Sequence, residues 1–480
     1  MTRLIIIGGG IAGLSAAYFA LTRPQNPPDE VIVLEKAHRW GGKIATERVD
    51  GFVIEGGPDT FIAIKPWGMA LARELGVADR LHGSNPKQKA TYILHKGRLH
   101  LLPGGLTMMI PTDFGGMLRT GLISWPGKLR MGLDFLLPPA KSPGEESLGR
   151  FVGRRLGREA YEALIEPLMS GIYAGDGDQL SLQATFPYLR DLEVKHGGLV
   201  RGALAAKRER MKRNGAAPGS RSMFVTPQTG LAELVEALVV RLRKLGAELR
   251  LGVEVRELKK DSHQYSVFSN QYAVLKADRL ILAAPAFVSA RLLRPHDPEL
   301  ASLLDAIPYA STATISLAYR LADVPRLLDG YGYVIPRREG RKALACTWTS
   351  TKFPHRAPEG MALLRVFVGR AGQEDAIDWT EEGLLAIARE ELRLTLGVTA
   401  EPFLHRVFIW PRAMPQYNVG HPARVGRILA GLERWPGLAL AGNAYHGIGI
   451  PDCIHSGEMA VKSLFRSQDE RTQVNADASR

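Results

Sequence analysis

The chain has 480 residues, of which 45% are hydrophobic and 23% charged, and its net charge at pH 7 is +13. This length predicts two or three domains, and this composition is typical of a globular protein and excludes a disordered one. No run of about 18 uncharged apolar residues occurs, so we expect no transmembrane helix. The only cysteines, Cys346 and Cys453, are far apart, which argues against a disulfide framework or a metal site and favours buried thiols in a reducing cytosol.

The basic charge has three candidate causes, namely nucleic acid, an anionic membrane surface and an anionic substrate. The densest basic stretch, 195–221, carries eight Lys or Arg against a single acid, Glu209. Aromatic residues do not interleave with this stretch and it matches no nucleic-acid motif. We therefore interpret it as a solvated surface and rank nucleic acid last among the three causes.

The first predicted elements are an apolar strand at 5–7, a glycine-rich turn and a helix rich in alanine and leucine. This order fits the Gly-x-Gly-x-x-Gly fingerprint, in which Gly8 turns the chain and Gly10 lets the backbone approach a pyrophosphate. Gly13 lets the helix pack against the strand, and Glu35 follows it by 22 residues at the end of a second strand. That spacing is typical of a carboxylate that binds ribose hydroxyls, so we predict a dinucleotide site.

The next region, 86–220, is rich in Leu, Met, Gly and Pro and has helical apolar spacing between 147 and 169. We interpret it as a helical insertion whose apolar face is core by default, with a substrate wall or a membrane-surface patch as alternatives. Helix and strand patterns of the cofactor domain return at 226–285. Several strand-like runs and a helix at 381–396 then predict an α+β substrate domain.

The C-terminal part has a second apolar strand, at 438–441, that breaks into Gly442, Gly447 and Gly449 before a helix. A cofactor domain in several parts, closed by this turn, favours FAD over NAD because the helix N-terminus can point at the flavin ring. The predicted fold is therefore α/β, with a Rossmann-like FAD-binding domain, an α+β substrate domain and a helical insertion.

The predicted organisation divides the chain into six parts. They are 1–85 (first segment of the FAD-binding domain), 86–220 (helical insertion and substrate wall), 221–285 (second FAD-binding segment), 286–404 (α+β substrate-binding domain), 405–466 (C-terminal FAD-binding segment) and 467–480 (polar tail).

Four longer motifs carry a resemblance to a known family. They are EPLMSGIYAGD at 166–176, LS at 180–181 with FP at 186–187, MPQY at 414–417 with GH at 420–421, and GIPDCI at 449–454 with SG at 456–457. Over nearly its whole length the chain resembles the flavin-dependent protoporphyrinogen and coproporphyrinogen III oxidases, and it is more similar to the Gram-positive coproporphyrinogen III oxidases. Amine oxidases and carotenoid desaturases share the N-terminal fingerprint but not this set of motifs.

This resemblance implies an FAD site and a substrate site. The implied FAD contacts are Gly8, Gly9, Gly10, Ile11, Ala12 and Gly13 at the pyrophosphate and ribose, Glu35 and Lys36 at the adenosine, Val255 at the adenine, Lys43, Gly57, Pro58, Asp59 and Thr60 beside the flavin, and Trp410, Ile448, Gly449 and Ile450 along the isoalloxazine. The implied substrate contacts are Gly171, Tyr331, Val334 and Phe367. Thr91 stands where some plant and animal relatives place an arginine that grips a propionate, so the resemblance implies a different anchor here.

The resemblance also implies the reaction, which is the six-electron oxidation of coproporphyrinogen III to coproporphyrin III in haem biosynthesis. FAD would accept a hydride in each of three steps, and oxygen would reoxidise it to give hydrogen peroxide. Because the flavin carries the chemistry, we expect no dedicated catalytic acid or base. We interpret His446 as a packing residue and Asp452 as a helix cap. The basic charge suits the four propionates of coproporphyrinogen better than the two of protoporphyrinogen.

Three alternatives stay open from the sequence. They are a protoporphyrinogen oxidase, a flavin amine oxidase or desaturase, and, in a different class, a non-catalytic protein that binds a dinucleotide. We expect a cytoplasmic protein with at most peripheral membrane contact and no nucleic-acid partner. By resemblance, we also expect transient contact with a ferrochelatase that receives the product.

Overall fold

A computed structural model describes residues 2–104, 106–107, 110–140, 144–213, 222–261 and 264–465. The predicted polar tail at 467–480 and residues 214–221 of the basic stretch lie outside the described residues. Among the helices that the structure describes, none has the length and apolar character needed to cross a membrane.

The N-terminal part contains the first strands of the cofactor sheet and the glycine-rich turn between β1 and α1. Its elements are β1 (Arg3–Ile7), α1 (Ile11–Thr22), β2 (Glu30–Glu35), β3 (Thr46–Val49), β4 (Phe52–Glu55), β5 (Phe61–Ile62), α2 (Pro66–Glu74), a 3-10 helix (Ala78–Arg80) and β6 (Leu81–Gly83). The side chains of β1 are uniformly apolar from Leu4 onward because parallel strands are covered on both faces.

A mostly helical region follows. Its elements are β7 (Ala90–His95), β8 (Arg98–Leu101), β9 (Leu106–Thr107), β10 (Ile110–Pro111), α3 (Phe114–Arg119), α4 (Trp125–Gly132), a 3-10 helix (Leu133–Phe135), α5 (Leu148–Leu156), α6 (Arg158–Ala160), a π-helix (Tyr161–Ile165), α7 (Glu166–Tyr173), α8 (Leu182–Thr185), α9 (Pro187–His196) and α10 (Leu199–Arg213). The apolar side chains that follow helical spacing between 147 and 169 lie in one buried cluster, so the core interpretation of that face is confirmed.

Strands dominate the chain from residue 224 to residue 415. The elements are β11 (Phe224–Pro227), α11 (Ala232–Lys244), β12 (Glu248–Leu251), β13 (Val255–Lys260), β14 (Tyr265–Ser269), β15 (Leu275–Ala277), β16 (Arg279–Leu282), α12 (Ala286–Leu293), α13 (Pro298–Asp305), β17 (Tyr309–Arg320), a 3-10 helix (Leu321–Asp323), β18 (Gly330–Val334), a 3-10 helix (Arg337–Glu339), β19 (Ala343–Trp348), α14 (Thr349–Lys352), a 3-10 helix (Pro354–Arg356), β20 (Met361–Val368), a 3-10 helix (Glu374–Ala376), α15 (Glu381–Leu396) and β21 (Leu404–Pro415).

The chain ends with α16 (His421–Leu432), β22 (Leu438–Leu440) and α17 (Ile450–Phe465). Strand β22 completes a five-stranded parallel sheet with the order β12-β2-β1-β16-β22. The turns after β1 and β22 therefore leave the same edge of one sheet, which is the edge where open α/β sheets bind ligands. The predicted α/β fold, with both ends of the chain in one cofactor domain, is confirmed.

The second large sheet has seven strands in the order β21-β17-β20-β19-β18-β7-β8. Helix α15 covers one of its faces through the buried side chains of Leu384, Ala388 and Leu392. This helix has the predicted bounds because the Thr380 hydroxyl accepts a hydrogen bond from the Gly383 N–H at its start and Gly397, at φ 74°, ends it.

The sheet pairing differs from two of the predicted segment limits. Strands β7 and β8 belong to the seven-stranded sheet, although we predicted a helical insertion from residue 86. Strand β21 pairs with β17 in that same sheet, although we predicted that the C-terminal FAD-binding segment begins at residue 405. Both pairings join strands far apart in sequence, which local patterns do not reveal.

Candidate active site

The glycines after β1 divide into those that pack against protein and one that faces open space. A Cβ on Gly13 would lie 1.9 Å from the Gly8 carbonyl oxygen, so only glycine fits at position 13. At Gly10, by contrast, the nearest atom to a built Cβ is 4.0 Å away, on Gly42. Gly10 is the N-cap of α1 and provides no side-chain cap, which leaves N–H groups of the first turn free for an anion. This arrangement fits a pyrophosphate.

Glu35 lies at the predicted adenosine end of the site. Its carboxylate accepts hydrogen bonds from the N–H groups of Gly9, at 2.7 Å, and Ala37, at 2.8 Å. Each oxygen keeps capacity for a second donor, as a ribose contact requires. The Val253 N–H donates to the Glu35 carbonyl at 2.9 Å, so Val255 begins β13 close to this carboxylate. Lys36 is exposed beside it.

Lys43 and Gly57 are in direct contact. A Cβ on Gly57 would lie 1.8 Å from the Lys43 carbonyl oxygen, so the backbone of the predicted flavin loop, residues 57–60, rests on the segment that carries Lys43. The Lys43 ammonium donates a hydrogen bond to the Ala413 carbonyl on β21. Burial lowers the pKa of Lys43 to about 8. A weakly compensated ammonium at this point favours a ligand that carries negative charge.

Two strands of the seven-stranded sheet fix the start of the flavin loop. The Gly56 carbonyl accepts hydrogen bonds from Trp410 Nε1, at 2.8 Å, and from the Thr314 hydroxyl, at 2.7 Å. A Cβ on Gly56 would lie 2.5 Å from the Phe408 ring, so the loop lies directly on β21. The indole of Trp410 is thereby held in one orientation next to the loop.

Asp59 in the flavin loop forms an ion pair with Lys352, the last residue of α14. Lys352 Nζ lies 2.9 Å from its carboxylate, and the Thr60 hydroxyl donates to it at 3.1 Å. Burial opposes ionisation of Asp59, but the charges of Lys352, Arg365 and Arg356 outweigh burial and hold its pKa well below the usual range. The carboxylate is thus a fixed anion that orders the loop.

The C-terminal turn is pinned by a tyrosine that our sequence reasoning did not select. The Tyr417 hydroxyl donates to the Asn443 carbonyl at 2.6 Å and accepts from the Gly447 N–H at 2.8 Å. Gly442 has a φ of 127°, and no atom lies within 4 Å of a Cβ built on it. Open space therefore lies at the turn after β22 as well as at Gly10 after β1.

The N-terminus of α17 is capped as we predicted. The Gly449 N–H donates to the Asp452 carboxylate at 3.3 Å, and Lys65 Nζ pairs with that carboxylate at 2.6 Å. These contacts confirm the interpretation of Asp452 as a cap. Ile448 is partly buried against the cluster of the helical region, and the side chain of His446 is exposed.

Two of the predicted substrate residues lie in one row across the seven-stranded sheet. Val334 on β18 pairs with Ala345 on β19, and Ala345 pairs with Phe367 on β20, so the three side chains share a face. Both Val334 and Phe367 are partly exposed on that face. Gly171, on α7, is exposed with nothing within 4 Å of a built Cβ.

Tyr331 lies apart from that row. The register shifts between Gly330 and Gly332, and the Tyr331 hydroxyl donates to the Asn85 carbonyl at 2.7 Å and can accept from the Ser84 hydroxyl, which lies 3.0 Å away. The Tyr331 hydroxyl is therefore hydrogen-bonded within the protein. That Tyr331 contacts the substrate stays a prediction, and it concerns only the aromatic ring.

Sequence reasoning missed several residues that contact the site segments, among them the four named next. They are Thr314, Lys352, Arg365 and Tyr417. Only Tyr417 lies in a motif that carried the resemblance, and the other three lie on strands or a short helix without local signals. Within the part of the chain that the structure describes, no group of three or more His, Cys, Asp or Glu could hold a metal ion.

Comparisons with known proteins agree with this geometry. The family model for flavin-containing amine oxidoreductases matches residues 11–464. The chain is 38% identical over 467 residues to a coproporphyrinogen III oxidase of Bacillus subtilis (strain 168), covering 96% of this chain and 97% of that protein. It is 35% identical over 469 residues to a coproporphyrinogen III oxidase of Staphylococcus aureus (strain NCTC 8325 / PS 47), covering 97% and 99%.

Among solved structures, a crystal structure from Exiguobacterium sp. 255-15, assigned provisionally as a protoporphyrinogen oxidase, has a TM-score of 0.84 and 34% identity to this chain. It covers 97% of this chain and 98% of that one. The cyclohexylamine oxidase of Brevibacterium oxydans IH-35A has a TM-score of 0.68 at 18% identity, which shows a shared fold.

Proposed function

Because this chain belongs to the flavin-containing amine oxidoreductase family, we propose that it oxidises coproporphyrinogen III to coproporphyrin III with bound FAD and oxygen. The observation that carries the proposal is the 38% identity to a coproporphyrinogen III oxidase over 96% of the chain. The two open glycine turns at one sheet edge support it, because they provide room for an extended dinucleotide.

The family fixes the cofactor as FAD, and the residues described above suit it. The first turn of α1 and Gly10 would hold the pyrophosphate, and Glu35 would hold the ribose. The flavin loop, Trp410 and the turn before α17 would border the ring. Bound FAD would supply the hydride acceptor, and oxygen would then accept the electrons as hydrogen peroxide.

The residues of the chain then have the tasks of binding, orienting and enclosing the macrocycle. Val334 and Phe367 present an apolar wall on one face of the seven-stranded sheet. Gly171 leaves room beside α7, because nothing lies within 4 Å of a Cβ built on it. We propose no acid or base among these groups, since the acceptor does the chemistry and Asp452 is engaged as a cap.

The nearest competing reading is a protoporphyrinogen oxidase, which would act on a substrate with two propionates rather than four. The net charge of +13 favours the substrate with four propionates. A second competing reading, an amine oxidase, is supported by the family model and by a shared fold at 18% identity, whereas the relatives at 35–38% identity are coproporphyrinogen III oxidases. We therefore place coproporphyrinogen III first.

The test is aerobic turnover of purified enzyme with each porphyrinogen, followed by porphyrin fluorescence and peroxide release. We expect a yellow protein, faster turnover of coproporphyrinogen III and about three peroxides for each porphyrin, because six electrons leave in pairs. Faster turnover of protoporphyrinogen IX would show that protoporphyrinogen IX, and not coproporphyrinogen III, is the substrate. Reduction of the flavin by a simple amine, with no porphyrin formed from either porphyrinogen, would show that the enzyme is an amine oxidase instead.

We also propose a cytoplasmic location, peripheral contact with a membrane surface at most, and transient contact with a ferrochelatase. Support for a surface contact comes from exposed apolar side chains on α4 and just after it, with Trp125 at 64%, Leu129 at 74% and Leu136 at 78% exposure. Sedimentation with anionic vesicles tests this contact, and Leu129→Gln should reduce sedimentation if the patch is responsible.

A further inference from the structure

A cluster of five charged groups lies against the flavin loop on its sheet side. Its members are Glu55, Asp59, Lys352, Arg356 and Arg365. Two of the cations are paired directly, since Arg356 lies 3.0 Å from Glu55 and Lys352 lies 2.9 Å from Asp59. Three cations thus face two carboxylates in an interior where charge is weakly screened.

Arg365 is the cation of the cluster with no carboxylate within ion-pair distance, although Asp59 and Glu55 act on its charge. Its guanidinium lies 4.7 Å from the centroid of the Phe367 ring. It is only 2% exposed, and no ion pair between described residues includes it. One terminal nitrogen donates to the Gly57 carbonyl, while Nε and the other terminal nitrogen have no hydrogen-bond partner among the described residues. Burial lowers the pKa of Arg365 to about 10, which still leaves the guanidinium charged at neutral pH. Burying such a charge is costly, so its position calls for an explanation.

The position of Arg365 connects it to the proposed flavin site through a single residue. Gly57, which accepts its hydrogen bond, follows Gly56, whose carbonyl accepts from Trp410 at 2.8 Å. Gly57 also rests on Lys43. Arg365 therefore contacts the backbone of the loop that we expect to face the flavin.

We propose that Arg365 is a positioning residue that holds the flavin loop through Gly57 and gives the charged cluster against that loop its net positive charge, raising the reduction potential of bound FAD. This inference rests on the proposed FAD site at residues 57–60. Two electrons and one proton entering an oxidised ring add one negative charge to it. A fixed cation nearby stabilises that charge, and the low polarity of the interior extends the effect over several ångströms.

The test compares Arg365→Gln, Arg365→Lys and wild type by equilibrium titration of the flavin spectrum against a redox dye. We expect Arg365→Gln to make two-electron reduction about tenfold less favourable, which corresponds to about 30 mV. Arg365→Lys keeps the charge and should restore most of the potential. If Arg365 had only a structural role, both variants would change flavin retention or thermal stability, and their reduction potentials would not differ from each other.

Arg406 offers a matched control. Arg406 and Arg365 pair in register with the same residue, Ser316, from opposite sides, but Arg406 is partly exposed and paired with Glu47 at 2.7 Å. Arg406→Gln should leave the potential unchanged. Should Arg365→Gln fail to fold, Lys352→Met removes another cation of the cluster and should lower the potential in the same direction.

The possible outcomes separate this inference from the proposed function. A wild-type protein that retains no FAD overturns the flavin assignment itself. A wild-type protein that retains FAD, with Arg365→Gln at the same potential, overturns only the role of Arg365. Where Arg365→Gln does not fold, an unchanged potential in Lys352→Met has the same meaning. A lower potential for Arg365→Gln together with wild-type behaviour of Arg406→Gln supports the role.

Discussion

Trp410 Nε1 donates a 2.8 Å hydrogen bond to the carbonyl oxygen of Gly56, which is 354 residues earlier in the chain. This contact joins the edge strand of the seven-stranded sheet to the segment that leaves the cofactor sheet. It places an aromatic ring next to the flavin loop, between the two domains. The site is thus assembled from elements that only the tertiary fold brings together.

Gly10 and Gly13 should respond differently to alanine. Gly13→Ala places a Cβ 1.9 Å from a backbone oxygen, so we expect a loss of stability of about 1–3 kcal/mol even without FAD. Gly10 has a φ of −71° and open space beside it, so Gly10→Ala should keep the stability of the FAD-free protein. Its affinity for FAD should fall at least tenfold. Thermal unfolding and FAD fluorescence titration measure the two effects, and normal FAD affinity in Gly10→Ala would contradict the pyrophosphate assignment.

Lys43 should make the stability of the FAD-free protein depend on pH. Burial lowers its pKa from 10.5 to about 8, so between these values the unfolded state binds more protons than the folded state. The contribution of Lys43 to the free energy of unfolding therefore rises from pH 8 to pH 10, by up to about 1.4 kcal/mol per pH unit.

The measurement is the difference between wild type and Lys43→Met in denaturant unfolding at several pH values, since tyrosines titrate at higher pH in both proteins. The stability advantage of Lys43→Met should be greatest below pH 8 and shrink as pH rises. A difference that stays constant from pH 7 to pH 10 would show that Lys43 keeps its ordinary pKa.

Tyr417→Phe should weaken both stability and flavin retention. The substitution leaves the Gly447 N–H without its acceptor and removes the bond to Asn443, at an expected cost of about 1–3 kcal/mol. Tyr265→Phe is the matched control, because that buried hydroxyl bonds the Pro436 carbonyl at 2.8 Å and is remote from the glycine turns. Equal flavin release from both variants would mean that Tyr417 does not hold the turn for the cofactor.

Gly171→Phe should obstruct the substrate without disturbing the cofactor. Position 171 is exposed and has no neighbour within 4 Å, so a large side chain fits without unfolding the helix. We expect KM for the porphyrinogen to rise at least tenfold while the flavin spectrum stays normal. Gly153→Phe, at another helical glycine with open space, provides the control. An unchanged KM in Gly171→Phe would show that Gly171 does not border the substrate cavity.

The glycine turns and the cap of Asp452 could be predicted because their signals are local. Each lies within one strand–turn–helix unit, and Glu35 ends the next strand, β2. Helix α15 was predicted with its observed bounds because Thr380 and Gly397 mark its ends. Within the strand pattern of 226–285, the structure separates β12 from β13 at Gly252, whose φ of 72° turns the chain.

The other half depends on pairing between distant strands. The contact of Arg365 with Gly57 and of Thr314 with Gly56 joins positions that share no local pattern. The sequence also does not indicate that the Tyr331 side chain points toward Asn85, because that orientation depends on the register shift between β18 and β7. The reaction itself was accessible only through the resemblance, since the residues around the site bind and orient rather than exchange protons.

The most direct test of the account is anaerobic mixing of the flavin-loaded enzyme with coproporphyrinogen III while the flavin absorbance near 450 nm is followed. We expect rapid bleaching with coproporphyrinogen III, slower bleaching with protoporphyrinogen IX, and recovery of the band with peroxide formation when oxygen is admitted. A flavin band that stays oxidised in the presence of both porphyrinogens would contradict it.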